Sequence, residues 1–310
     1  MNIRVTGQTQ TANAVANLRR QAADAAKFQE QISSGVKVKA GSDNPTAFAA
    51  ISTARATSKR ASTYSETIND ATTDLNAGVS ALQEADSALT RASQLAIEGA
   101  GGTLDPTGYE ALAQEADTLL ENLLNSANRQ QDGKYLFGGT ADDAPPFRVD
   151  TLAPDGNPAT IAYDGAAERS RALVSKSQTV ETKYVGSNVF QTAGKDVFAA
   201  VIGLRDDLRN PTLTDRDRAA ALTARLGDLK TAQNRIGDIT GEQSASLAGV
   251  EAITTRLQDL KLNADIRIGD LGSTDYADAV VRLKEQETAF QATLGVSGRL
   301  LQQSLLDFIR

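Results

Sequence analysis

The stretch YSETINDATTDLNAGVSALQEADSALTRASQLA, residues 64–96, decides the fold. Counted in alternating steps of four and three, Tyr64, Ile68, Ala71, Leu75, Gly78, Leu82, Ala85, Leu89, Ala92 and Ala96 fall on one line. Only Gly78 interrupts its side chains. A repeat averaging 3.5 residues marks a helix packed along a narrow seam against another helix.

Two further stretches carry the same spacing. Tyr109, Leu112, Ala116, Leu119 and Leu123 form a short one. Across 215–268 the line holds Ala219, Leu222, Leu226, Leu229, Ile236, Leu247, Val250, Leu257, Ala264 and Ile268, with polar breaks at Gln233, Thr240, Gln243, Thr254 and Lys261. A helix of that length would reach about 80 Å at 1.5 Å per residue. It needs a partner, and 58–98 is the candidate for an antiparallel pair, with 106–130 alongside. The helix starts are marked. Asn44 precedes Pro45 and Asp105 precedes Pro106, each a capping side chain before a first-turn proline, and Thr214 with Asp217 is a looser cap. The run GAGG at 99–102 reads as a break between helices.

Both chain ends carry stripes of their own. Val15, Leu18, Ala22, Ala25 and Ile32 repeat at heptad spacing, as do Tyr276, Val280, Leu283, Phe290, Leu294, Leu301 and Phe308, with Leu305 beside them. Stripes so close to both termini predict that the ends meet each other or meet neighbouring molecules; an intramolecular bundle in a monomer fits the stripes equally. Between the helical halves, 134–190 differs. Four of the seven prolines lie in 145–158, and β-prone runs occur at 135–137, 147–149, 160–163, 172–174 and 179–185, with Asp164-Gly165 as a turn signal.

The fold class read from this pattern is mainly α: a long antiparallel coiled-coil-like bundle with its terminal helices paired, plus a small β-rich insert. The expected divisions are a terminal segment 1–42, a helical half 43–133, the insert 134–193, a second helical half 194–272 and a terminal helix 273–310.

Composition narrows the function classes. The 310 residues contain no Cys and no His, which removes disulfides, thiol catalysis and the usual zinc sites. The net charge of −7 is uneven: six Lys/Arg face Asp24 and Glu30 in residues 1–40, residues 276–310 are neutral, and the middle carries −11. An acidic body argues against nucleic-acid binding. No run of 18 apolar residues spans a membrane, and the N-terminus lacks the apolar block of a cleaved signal. Asp142-Asp143 and Asp206-Asp207 read as solvated acids, GAGG lacks the strand and Lys of a phosphate loop, and Asp215-Arg216-Asp217 lacks the Gly and distal Glu of a calcium loop. No constellation reads as an active site, and no cofactor or metal is expected.

Three motifs carry a resemblance. EQISSGVKVKAGSDNPTAFAAI (30–51) is similar to the flagellin superfamily's signature after its first helix, with Gly35, Asp43 and Pro45 in place. QDGKYLFGGTADDAPPF (131–147) and the terminal DYADAVVRLKEQETAFQATLGVSGRLLQQSLLDFIR (275–310) resemble that superfamily's hook-associated branch more than filament flagellin. The resemblance implies a structural, non-enzymatic subunit of the extracellular flagellum at the boundary between hook and filament. It would form a ring of its own copies between the first hook-associated protein and flagellin, be exported unfolded without a cleaved signal, and be escorted by a flagellar export chaperone. The alternative within the family is a filament flagellin. The stretch 89–103 also resembles the flagellin segment read by a Toll-like receptor, with Arg91, Leu95 and Glu98 on one helix face; as an ordinary helix ending, Leu95 would instead pack inward while Arg91 and Glu98 stay solvated.

Overall fold

A computed structural model describes residues 2–102 and 104–309, with side chains described for 9, 12–102 and 104–299. In chain order it contains α1 (Asn2–Ser34), α2 (Pro45–Ala100), α3 (Pro106–Ala127), β1 (Gln130–Gln131), β2 (Lys134–Tyr135), β3 (Phe147–Leu152), β4 (Pro158–Tyr163), β5 (Ser170–Ser175), β6 (Gln178–Lys183), α4 (Gly186–Phe190), β7 (Gln191–Thr192), β8 (Lys195–Asp196), α5 (Val197–Arg209), α6 (Asp215–Gly272) and α7 (Tyr276–Ile309). The chain forms two compact units, Met1–Arg60 with Asp259–Arg310, and Ala61–Gln258. The units part inside α2 and α6.

The helix starts follow their caps. Ala47 N–H donates to Asn44 Oδ1 at 3.0 Å, Gly108 N–H to Asp105 Oδ1 at 2.7 Å, and Asp217 N–H to Thr214 Oγ1 at 3.2 Å. Each bond satisfies an amide that the first helical turn leaves without a carbonyl.

In the larger unit α2 and α6 run antiparallel. Gln233 Nε2 donates to Thr90 Oγ1 at 2.9 Å, while Gly99 packs against Leu222 and Gly78 against Gln243. Ile68, Leu75, Leu82, Leu89 and Leu95 of α2 are fully buried, as are Leu222, Leu229 and Ile236 of α6. Helix α3 lies against α5, a stretch that carries no heptad line in the sequence; Val197, Phe198, Val201 and Leu204 fill the same core.

The insert consists of two-stranded antiparallel hairpins, chiefly β3 with β4 and β5 with β6. Its core is aromatic: Phe147 meets Tyr163, Phe190 and Phe198 at ring centroids of 5.1–5.5 Å. Asp164-Gly165 lies in the link between the two hairpins rather than at a hairpin turn. Small hairpins with little core of their own are held by ion pairs. Buried Arg205 of α5 donates through Nη1 to Pro158 O (2.7 Å) and Asp117 Oδ1 (3.3 Å), and through Nη2 to Asp206 Oδ1 (2.6 Å). Arg209 adds Glu110, Asp117 and Asp155, so α3, α5 and the β3–β4 hairpin share one network. On the other side Arg169 pairs with Glu181 and Glu242 and lies 4.9 Å over the Tyr184 ring, tying β5–β6 to α6.

Candidate assembly surface

Within the smaller unit the chain leaves α1 through Ser33-Ser34-Gly35. Gly35 has φ +69°, the left-handed conformation that ends a helix and that a side chain resists. Three residues then bind the segment between α6 and α7. Lys37 N–H donates to Gly272 O at 2.7 Å, Thr274 N–H donates to Gly35 O at 2.9 Å, and Val36 bridges Ser273 antiparallel. The two terminal helices therefore spring from one short two-stranded clasp.

Asp43 closes the loop beyond it. Its Oδ2 accepts from Lys39 N–H and Ala40 N–H at 3.1 Å each, and its Oδ1 pairs with Lys27 Nζ of α1 at 2.9 Å. The Lys27 hydrogen bond, helped by the two backbone donors, lowers the Asp43 pKa to about 2. Below the clasp a small core of Val38, Ala47 and Ile51 packs with Phe48, Ile268 and Leu271. Gly35, Asp43 and Pro45 thus serve as helix terminus, loop clamp and first-turn proline.

Beyond the clasp α1 and α7 pair with each other. The half-buried row of α1 is Leu18, Gln21, Ala25, Phe28 and Ile32. That of α7 is Leu283, Gln286, Phe290 and Thr293, starting from buried Ala279, and Gln286 Nε2 reaches Asp24 Oδ2 at 3.4 Å. Leu18, Ala25, Ile32, Leu283 and Phe290 therefore face the partner helix. Val15 and Ala22 do not; they are exposed, because the inward row steps 18, 21, 25, 28, 32 and leaves 15 and 22 beside it. Val280 and Leu294 are likewise exposed at 52 % and 47 %, next to Val281 at 57 % and Val296 at 59 %. The side chains of Leu301, Leu305 and Phe308 lie outside the described residues. Phe28 was absent from the sequence stripe, although an aromatic three residues after Ala25 was a signal for the shifted frame.

The energetics of this pair are weak. A 33-residue helix and a 34-residue helix are ordered, yet no described side chain of α1 is fully buried. Fixing backbone costs roughly 1–2 kcal/mol per residue, and fully burying a Leu or Phe side chain returns about 1.5–3 kcal/mol. A half-buried seam recovers only part of that. Val280 and Leu294, two heptads apart, share one exposed side of α7, while Val281 and Val296 point to other sides of it.

Arg91, Leu95 and Glu98 end up in different surroundings. Leu95 is fully buried in the bundle, so the three do not present one exposed face. Arg91 Nη2 donates to Glu115 Oε2 of α3 at 2.9 Å, and Glu98 is exposed. Among the described residues no group of three or more His, Cys, Asp or Glu could hold a metal ion, and no helix is long and apolar enough to cross a membrane.

The family model for the bacterial flagellin N-terminal helical region matches residues 5–142, which runs from α1 through α2 and α3 to the first hairpin of the insert. Flagellar hook-associated protein 3 of Escherichia coli (strain K12) is 23 % identical over 285 residues, covering 86 % of this chain and 87 % of that protein. Among solved structures, hook-associated protein-3 of Legionella pneumophila aligns with a TM-score of 0.62 at 15 % identity, over 71 % of this chain and 98 % of the other. A flagellar junction protein, also from Legionella pneumophila, aligns with a TM-score of 0.59 at 16 % identity, over 72 % and 100 %. At these identities the structural matches speak to the fold. The chain therefore carries a region that matches the bacterial flagellin N-terminal helical region over residues 5–142, and over most of its length it is similar to flagellar hook-associated protein 3.

Proposed function

We propose that this chain is a structural subunit of the bacterial flagellum at the junction between hook and filament, and that it acts by assembly rather than catalysis. The observation that carries the reading is the terminal pair: α1 and α7 seal only one side of each other and leave Val280, Val281, Leu294 and Val296 exposed. Such a pair gains stability when copies of itself and adjacent axial proteins supply the missing surface, which is ordering on binding. The partners implied are further copies in a ring, the first hook-associated protein on the hook side and flagellin on the filament side. A flagellar export chaperone would mask these exposed apolar residues before export. Likeness to a junction protein, and the YLFGG and LLDF motifs, favour the junction over a filament flagellin.

The reading is tested by gold labelling of the tagged protein on intact flagella. A single band at the hook boundary is the expected result. Label along the whole filament would move the protein to the filament, and no label on flagella would remove it from the organelle.

A further inference from the structure

The pairing of α2 with α6 contains a device that spacing alone does not require. On α6 every seventh residue, Leu222, Leu229, Ile236, Gln243, Val250 and Leu257, is buried, and Gln243 is the polar member of that row at 1 % exposure. Its Oε1 is buried with no hydrogen-bond partner among the described residues. The row it faces on α2 is small throughout: Ala71, Gly78, Ala85, Ala92 and Gly99, all buried.

The two glycines are not placed at random in that row. A methyl built at Gly78 would lie 3.1 Å from Gln243 Nε2 and 3.2 Å from its Oε1. A methyl built at Gly99 would lie 2.8 Å from Leu222 Cδ1 and 2.7 Å from Leu208 Cδ2. Gly78 and Gly99 are three heptads apart, and so are Leu222 and Gln243. Both notches therefore receive their side chains in the same register.

We propose that Gly78 and Gly99 form a two-point key that fixes the register of α2 against α6. The heptad pattern cannot do this alone, because Ala and Leu recur at every turn of the seam and a slip of one heptad keeps apolar residues against apolar residues. A one-heptad slip, about 10 Å, takes Gln243 away from Gly78 in either direction and empties the Gly99 notch of leucine in one. In one direction Leu222 moves onto Ala92 and Gln243 onto Ala71; in the other Gln243 moves onto Ala85 and Leu229 takes the Gly99 position. The amide of Gln243 then meets a methyl group in place of the open glycine position. A single polar residue in an apolar seam specifying alignment is a known use of such residues in coiled coils. Here its partner is a missing side chain rather than a second polar group.

The test uses the absence of cysteine from the 310 residues. Thr90→Cys with Gln233→Cys reports the native register; Thr90→Cys with Thr240→Cys or Leu226→Cys reports slips of one heptad. Ala is a better helix former than Gly, so Gly78→Ala would raise the melting temperature if no key existed. The expected result is a lower melting temperature for Gly78→Ala, restored by adding Gln243→Ala. In the Gly78→Ala/Gln243→Ala background, refolding under oxidising conditions should then trap slipped disulfides that the parent does not form. A Gly78→Ala chain that melts at or above the parent temperature, a failure of Gln243→Ala to restore it, or formation of the 90–233 disulfide alone in the double variant would each overturn the proposal.

Discussion

The Tyr276 hydroxyl stands where a side chain at residue 35 would have to begin: a methyl built on Gly35 would lie 2.8 Å from it. The first residue of α7 and the last turn of α1 are thus fitted together by the absence of a Cβ. This contact lies at the clasp through which both terminal helices join the chain.

Gly35→Ala meets chiefly the left-handed backbone, at about 1–2 kcal/mol, with a smaller cost for swinging the exposed Tyr276 hydroxyl aside. Amides of the clasp at Lys37 and Thr274 should exchange faster with solvent, and motility of a complemented strain should fall. Adding Tyr276→Phe should recover only the steric part. Unchanged exchange in Gly35→Ala would show that the clasp tolerates a side chain there.

Removal of 276–310 should leave the larger unit folded, because its buried residues all lie within Ala61–Gln258. Circular dichroism should retain a cooperative melt, while the truncated chain fails to restore motility to a strain lacking the parent protein. Restored motility would contradict the role given to the terminal pair.

Asp43 predicts an acid limit for the clasp. Its folded pKa is lowered from 3.8 to about 2, so its contribution is fully present above about pH 4 and is lost as pH falls toward 2. Asp43→Asn should remove the part of the pH dependence that lies between about pH 4 and 2, followed as exchange or fluorescence of a label near Lys39. A variant whose profile in that window matches the parent would count against the clamp.

Arg205 should be the most sensitive charged residue in the larger unit. It is 1 % exposed and satisfies Asp117, Asp206 and a backbone carbonyl of the β4 strand. Arg205→Met should cost about 3 kcal/mol in urea unfolding, since the groups left behind lose a buried partner. Arg205→Lys should not restore the loss, because one ammonium cannot reproduce the guanidinium fork. Full stability in Arg205→Lys would mean that charge alone suffices.

Leu95→Ala should cost about 2–5 kcal/mol as a cavity in the core, whereas Arg91→Ala, which removes a surface pair with Glu115, should cost less than about 1 kcal/mol. The measurement is denaturant unfolding of the two single variants. Equal effects would place Leu95 nearer the surface than its burial indicates.

Local chemistry made much of this protein legible from its sequence. Asn44, Asp105 and Thr214 cap helices because a short polar side chain can reach an amide three residues on. The seam through Ile68, Leu75, Leu82 and Leu89 is buried because a heptad period confines apolar residues to one side. The insert's strands fall where aromatic and β-branched runs replace Ala and Gln. What the sequence left open depends on residues far apart in the chain. Heptad counting admits adjacent frames, so Val15 and Ala22 were placed on the same stripe as Leu18, and Phe28 was passed over; only the position of α7 decides which side of α1 faces inward. Leu95 shares a helix face with Arg91 and Glu98 by spacing, yet the leucine is buried in the core and the two charged residues stay exposed. The pairing of Arg205 with Asp117, the joining of residues 35–37 to 272–274, and the meeting of Gly78 with Gln243 each link segments more than eighty residues apart. Periodicity sets which face of a helix is apolar; the three-dimensional arrangement of the other helices sets what that face meets.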